Sequence, residues 1–138
     1  MMNTAAAAGG ERPPIHLLAT ESDVVANLAL QAEHRQPVVA AMLLEEIERA
    51  ELHAEETMPL GHVMLNSRVT FVDEKSGELR DVRLVLPAEA NIAEGRVSIL
   101  TPMGAALFGL AEGHSIEWPD LNGNYRPIRI VRVGKAGE

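Results

Sequence analysis

Cysteine is absent from the chain. Disulfides, thiol nucleophiles and thiolate-bound zinc are therefore excluded, and the absence accords with a cytoplasmic protein. Aromatic residues are almost as scarce: Phe71, Phe108, Trp118 and Tyr125 are the full set. A pocket walled by aromatic rings is hard to build from four. The longest unbroken apolar run is VVAAMLL, residues 38–44, against the roughly 20 residues that a membrane span takes. No membrane association is expected. The nucleotide fingerprints GxxxxGK[ST] and GxGxxG are missing, as is the GxSxG elbow of hydrolases. A kinase would need a phosphate cradle and a metal site. The histidines, His16, His34, His53, His62 and His114, form no HExxH motif and no close His/carboxylate cluster along the chain. They read as surface residues, with His53 and Glu56 on an acidic solvated face. No catalytic residue, metal or cofactor is expected.

Charge of one sign dominates one segment. Of the net −8, residues 20–57 carry nine acids against two bases, a net of −7. Such a segment repels phosphates, so autonomous nucleic-acid binding is not expected. It suits a basic or metal-containing partner surface, or simply forms a solvated helical face. The start, MMNTAAAAGGERPP, lacks the basic and apolar segments of a secretory signal. Its Ala/Gly/Pro composition predicts a mobile tail over residues 1–19.

Residues 20–56 read as a short antiparallel helical hairpin. Thr20 and Asp23 resemble a capping box. Val24, Val25, Leu28 and Ala32 recur at helical spacing. Glu33, His34 and Arg35 form the tip, and Pro37 suits the first turn of the second helix. Ala40, Leu43, Leu44, Ile47, Ala50 and Ala54 form its stripe, with Glu45 and Arg49 as an i,i+4 pair. Metal-dependent hydrolysis needs two oxygen ligands around one cation. The tip offers one carboxylate, Glu33, and Asp23 lies about 15 Å back along the helix.

Residues 57–134 read as a second, β-rich unit, followed by a tail at 135–138. Val63, Leu65, Val69 and Phe71 alternate, then Val82, Leu84 and Leu86, with EKSGE as the turn of a hairpin. Val97 and Ile99, Ile116 and Trp118, and Ile128 to Val131 predict three more strands, the last two joined at Asn122-Gly123. Between them lies SILTPMGAALFGLAEGHSIEW. Thr101 suits an N-cap and Pro102 the first helical position. The segment after Pro102 is apolar nearly all round, which predicts a short helix covered by the sheet. Small Gly104 and Ala105 permit close approach, and Gly113 permits a sharp exit. The fold class is therefore α+β: a helical hairpin, then a twisted antiparallel sheet around one short helix. Arg68 interrupts an apolar strand; it is either exposed or an anchor for a partner carboxylate.

In order, MP before the first strand, then MLNSRV, LVLPAEA, TPMGAALFGL and IEW resemble the C-terminal domain of the Gre transcript-cleavage factors. The resemblance is closer to the regulators of nucleoside diphosphate kinase (the Rnk type) of that superfamily. It implies an FKBP-like fold and binding to RNA polymerase, at the secondary-channel rim of the large catalytic subunit. It places a docking turn on Leu100, Thr101, Pro102 and Met103; Gly104, next in the chain, and Arg68, read from the residues themselves, complete the candidate polymerase-binding set. Rnk-type members have a shortened coiled coil and are taken to compete with Gre factors without stimulating cleavage. The chain departs from the Gre pattern at Gly113-His114, where Gly-Asp is usual, and in lacking paired acids at the tip. A monomeric, non-catalytic regulator is the resulting expectation. A cleavage factor, an FKBP-like peptidyl-prolyl isomerase and a generic interaction module remain the alternatives.

Overall fold

The computed structural model describes residues 13–119 and 124–134. The turn expected at Asn122-Gly123, the first twelve residues and the tail at 135–138 lie outside the described residues.

The chain opens on a short strand, β1 (His16–Leu18), that runs directly into α1 (Ala19–Ala32). A tight turn leads to α2 (Pro37–Arg49), and β2 (Glu51–His53) follows at once. The larger sheet comprises β3 (Arg68–Asp73), β4 (Leu79–Val85), β5 (Arg96–Ser98), β6 (Ser115–Pro119) and β7 (Tyr125–Val133), in the order β5-β4-β3-β7-β6. Helix α3 (Pro102–Leu107) lies between β5 and β6 in sequence. β3–β4, β3–β7 and β7–β6 are antiparallel, and a register shift falls between Thr70 and Phe71. The sheet is not wholly antiparallel as expected: β5 pairs parallel to β4, because residues 87–95 carry the chain back before it re-enters.

Buried positions explain the elements. In α1, Ser22, Val25, Ala29 and Ala32 recur at spacings of three and four and form the covered stripe. In β3 the alternation buries Val69, Phe71 and Asp73; in β4 it buries Val82 and Leu84. Six-residue α3 is about 9 Å long, yet it packs against β5 and β6, the two opposite edges of the sheet. A flat five-stranded sheet would hold those edges about 19 Å apart. The sheet must therefore curl so that both edges reach the helix. Helix α2 covers α3 as well. Val25, Ala29, Val39, Ala40 and Leu43 from the helix pair share one core with Phe71, Leu84, Ile99, Leu107, Phe108 and Ile130.

Several local expectations change. Residues 13–18, expected in the tail, are a built part of the core: Ile15 and Leu17 are 1% exposed. Gly109 seats them. It holds φ 85, a Cβ there would stand 2.9 Å from both Ile15 and Leu17, and its carbonyl accepts the His16 N–H at 3.2 Å. The second helix stops at Arg49 rather than continuing to Ala54, because β2 turns extended to pair in parallel with β1. The N-cap of α1 is Leu18, with no side-chain cap, rather than Thr20. Val24, expected on the inner stripe, is exposed. Arg49 is held by Glu46 one turn back at 2.6 Å, and it donates to the Pro13 carbonyl.

Candidate functional site

The turn from Ser98 to Gly104 is wired through its own polar groups. Thr101 Oγ1 donates to the Ser98 carbonyl at 2.7 Å and accepts the Gly104 N–H at 3.0 Å. Ser98 Oγ accepts the Leu100 N–H at 3.0 Å. The Thr101 N–H also reaches the Ser98 carbonyl, and Ile99 N–H bonds Val85 in β4. Pro102 fills the first helical position, where an N–H would be surplus. The N-cap read from the sequence is thus present. The turn is preorganised, so docking on it would order little further.

The residues of this turn are not equivalent. Thr101 and Pro102 are half-exposed. Leu100 and Met103 are also half-exposed, but both pack against the core. Gly104 is buried: a Cβ on it would stand 2.2 Å from the Ser98 carbonyl oxygen. It sets the approach of α3 to the strand end and presents no side chain to a partner.

Arg68 lies on the outer face of the sheet. It grips Asp81 with Nε at 3.0 Å from Oδ1 and Nη2 at 2.8 Å from Oδ2. Thr70 pairs across the strands with both Asp81 and Arg132, and Arg68 with Arg83. Arg68, Thr70, Arg132 and Gly134 line a small pocket there. The hydrogen bond from Arg68, with the charges of Arg132 and Arg83 nearby, holds the Asp81 carboxyl below the usual carboxylate range. The outer face is therefore locally cationic around Asp81, while farther along it Arg129 pairs with Glu74 at 3.4 Å. Sequence reasoning singled out Arg68 alone. Arg129 and Arg132 in β7 are three residues apart, so strict alternation puts them on opposite faces, and the register shift beside Thr70 and Phe71 hid the grouping from the sequence.

Glu33, His34 and Arg35 are all exposed at the turn between α1 and α2. They stand together without a second carboxylate among them. The base of the helix pair is fastened by Glu21, whose Oε1 accepts the Leu65 N–H at 3.0 Å. Burial pushes the Glu21 carboxyl up, and the Leu65 hydrogen bond offsets part of that.

Four histidines that read as separate surface residues are gathered beside that base. His16 Nδ1 lies 2.8 Å from His53 Nε2, and His53 Nε2 lies 3.4 Å from Glu51 Oε2. His62 meets His16 edge-on at 4.6 Å between centroids, and His114 meets His62 at 6.4 Å. His62 Nδ1 donates to the Gly109 carbonyl at 3.1 Å, and His114 Nδ1 accepts the Ala111 N–H at 3.0 Å. Burial lowers the pKa of both His62 and His114, and their histidine neighbours lower it further. The expected absence of a His/carboxylate cluster is corrected by the pairing of β1 with β2. His53, placed on a solvated face by the sequence, has a side chain only 12% exposed.

Residues 58–135 match the family model described as transcription elongation factor, GreA/GreB, C-terminal. The chain belongs to the GreA/GreB family. The match spans the whole larger sheet and α3. Similarity also extends over the helix pair. The regulator of nucleoside diphosphate kinase of Escherichia coli strain K12 is 36% identical over 122 residues, 88% of this chain and 90% of that one. The transcription elongation factor GreA of Brucella anthropi is 32% identical over 129 residues, 88% of this chain and 82% of that one. Among solved structures, a prokaryotic GreA/GreB elongation factor from Nitrosomonas europaea superposes with TM-score 0.72 at 34% identity. That superposition covers 90% of this chain and all of the other. A GreA/GreB-type fold and a transcription-associated regulator follow from these matches. No helix among the described residues is long and apolar enough to cross a membrane.

Proposed function

We propose that this chain is a non-catalytic, Rnk-type regulator that binds RNA polymerase at the secondary-channel rim and competes there with Gre factors. The observation that carries the reading is the preorganised Ser98–Gly104 turn, standing at the start of α3 in a GreA/GreB-type domain. Thr101 and Pro102 form its accessible part, with Leu100 and Met103 supporting them from the core side. Arg68 and the arginines beside it would offer positive charge to carboxylates on the partner surface. The helix pair spans about 20 Å along α2, and its tip carries one carboxylate, Glu33. One carboxylate does not make the paired site that would hold a second catalytic cation. The protein therefore occupies the binding place without adding cleavage. The cytoplasm is the compartment in which such a partner is met.

The test is displacement of a labelled Gre factor from core RNA polymerase, with transcript cleavage followed in the same samples. Displacement without cleavage is the expected result. Pro102→Asp alters the half-exposed knob at the first helical position, and it should weaken displacement at least tenfold with an unchanged melting temperature. Cleavage stimulated by the protein, or displacement indifferent to Pro102→Asp, would overturn the mechanism or the docking turn respectively.

A further inference from the structure

We propose that His16, His53 and Glu51 form a binding site for a borderline divalent transition-metal ion of the zinc class, and that the ion clips together the two chain segments at the base of the helix pair. One ligand atom from each of the three residues lies within 4.8 Å of the other two. Zinc bonds to nitrogen and oxygen run about 2.0–2.2 Å, which sets neighbouring ligand atoms about 3.3 Å apart in a tetrahedron. The His53 Nε2 to Glu51 Oε2 separation of 3.4 Å already meets that spacing. The His16 Nδ1 to His53 Nε2 separation of 2.8 Å needs to open by about half an ångström. In the metal-free state those two nitrogens share one proton in a hydrogen bond. On loading, the ring that holds it moves its proton to the other ring nitrogen, so two neutral imidazoles face the ion and no net proton need leave.

The donor set selects the cation. Two imidazoles and one carboxylate suit zinc and its neighbours; magnesium and calcium require oxygen ligands. A second layer is in place. His62 stands edge-on to His16. Its Nδ1–H is committed to the Gly109 carbonyl, which leaves Nε2 with the lone pair. His62 stands outside the three converging ligand atoms, so it lines the site, and water would complete the set. The acidic helix pair raises the local cation concentration.

Position gives the site its consequence. β1 leads straight into α1, and β2 follows α2 after one residue. The ion would join residues 37 apart in sequence and close the loop that contains both helices. Clips that close long loops remove chain entropy from the unfolded state. Only three residues of each strand pair across this base, so the clip would hold the stance of the helix pair on the GreA/GreB-type domain. This site is independent of the docking turn, and its failure would leave the polymerase reading untouched.

Calorimetric titration of zinc chloride into the full chain, stripped of metal by chelation, tests the site. One ion per chain should bind saturably at micromolar concentration or below, with the melting temperature rising by several degrees. His53→Gln should weaken binding at least tenfold, whereas Glu56→Gln, an exposed acid just beyond the site, should not. Magnesium should give no comparable heat. If His53→Gln proves unfolded by circular dichroism, Glu51→Gln takes its place, since that side chain is 67% exposed. Absence of saturable binding, binding unchanged in both variants, or equal binding of magnesium would overturn the proposal.

Discussion

Gly104→Ala separates two opposed forces at the start of α3. Helix propensity alone favours the substitution by about 1 kcal/mol. Packing opposes it. The new Cβ would stand 2.2 Å from the Ser98 carbonyl oxygen and 3.0 Å from Ile99 Cα, both backbone atoms. The first contact is more than an ångström inside ordinary van der Waals distance, and neither neighbour is the free end of a side chain. The same carbonyl accepts from Thr101 Oγ1 and from the Thr101 N–H, so moving it disturbs the cap. Overpacking of this kind costs about 1–3 kcal/mol, and this contact belongs at the upper end. After the propensity gain, a net loss of about 2 kcal/mol remains. For a chain of this length that lowers the melting temperature by about 6–10 °C. Thermal unfolding followed by circular dichroism measures it. A variant that melts at or above wild type would show that α3 does not approach β5 as closely as described. It would also remove the argument that Gly104 serves packing rather than contact.

Two further perturbations test other joints. Glu21→Gln keeps an oxygen for the Leu65 N–H but cannot ionise. Burial raises the Glu21 carboxyl in the folded state, so the native chain holds more protons than the unfolded one as pH rises from the ordinary 4.5 through the raised value. Wild-type stability from this group therefore falls through that window. The variant should melt higher than wild type at pH 7, and the advantage should vanish below pH 4.5; a lower melting point at pH 7 would contradict the burial penalty. Leu43→Ala removes a fully buried side chain of α2 from the shared core and should cost about 2–5 kcal/mol. Helix ellipticity and tryptophan fluorescence should shift together; a shift confined to the helices would show that the helix pair unfolds on its own.

What was legible in the chain depended on how far away each residue's partner lay. The β3–β4 hairpin is local, and its alternation survives in the register of Val69 with Val82. The cap on α3 is more local still, with Thr101 and Gly104 three residues apart. Ile15 and Leu17 gave no such signal. Three strand residues after a run of Ala, Gly and Pro carry too little periodicity to distinguish them from a tail. Their seat is Gly109, more than ninety residues on, and their strand partner is β2. β2 was hidden in turn, because Glu51 to His53 continue the polar pattern of α2. The histidine cluster depends on that pairing, so it stayed invisible while its members were read one at a time. Arg68 was legible as a residue but not as a pair, since Asp81 joins it only through the strand register.

The joints that escaped the sequence bear on how the helix pair works. A projecting coiled coil can reach a distant target while its root moves freely. Here the root is held at both chain ends and from the side. β1 and β2 pair with each other, Glu21 reaches across to Leu65, and α2 packs on α3. Helix α3 also begins with the Thr101–Pro102 knob. The proposed docking turn and the helix pair are thus mechanically one piece, joined through six residues of helix. A partner that seats the knob also fixes where Glu33, His34 and Arg35 point, with no flexible linker to average over. The proposed competitor would need that property, because occupancy of the docking surface would then determine occupancy of the space beside it. The tip can be short and chemically plain, since its place follows from the body that carries it.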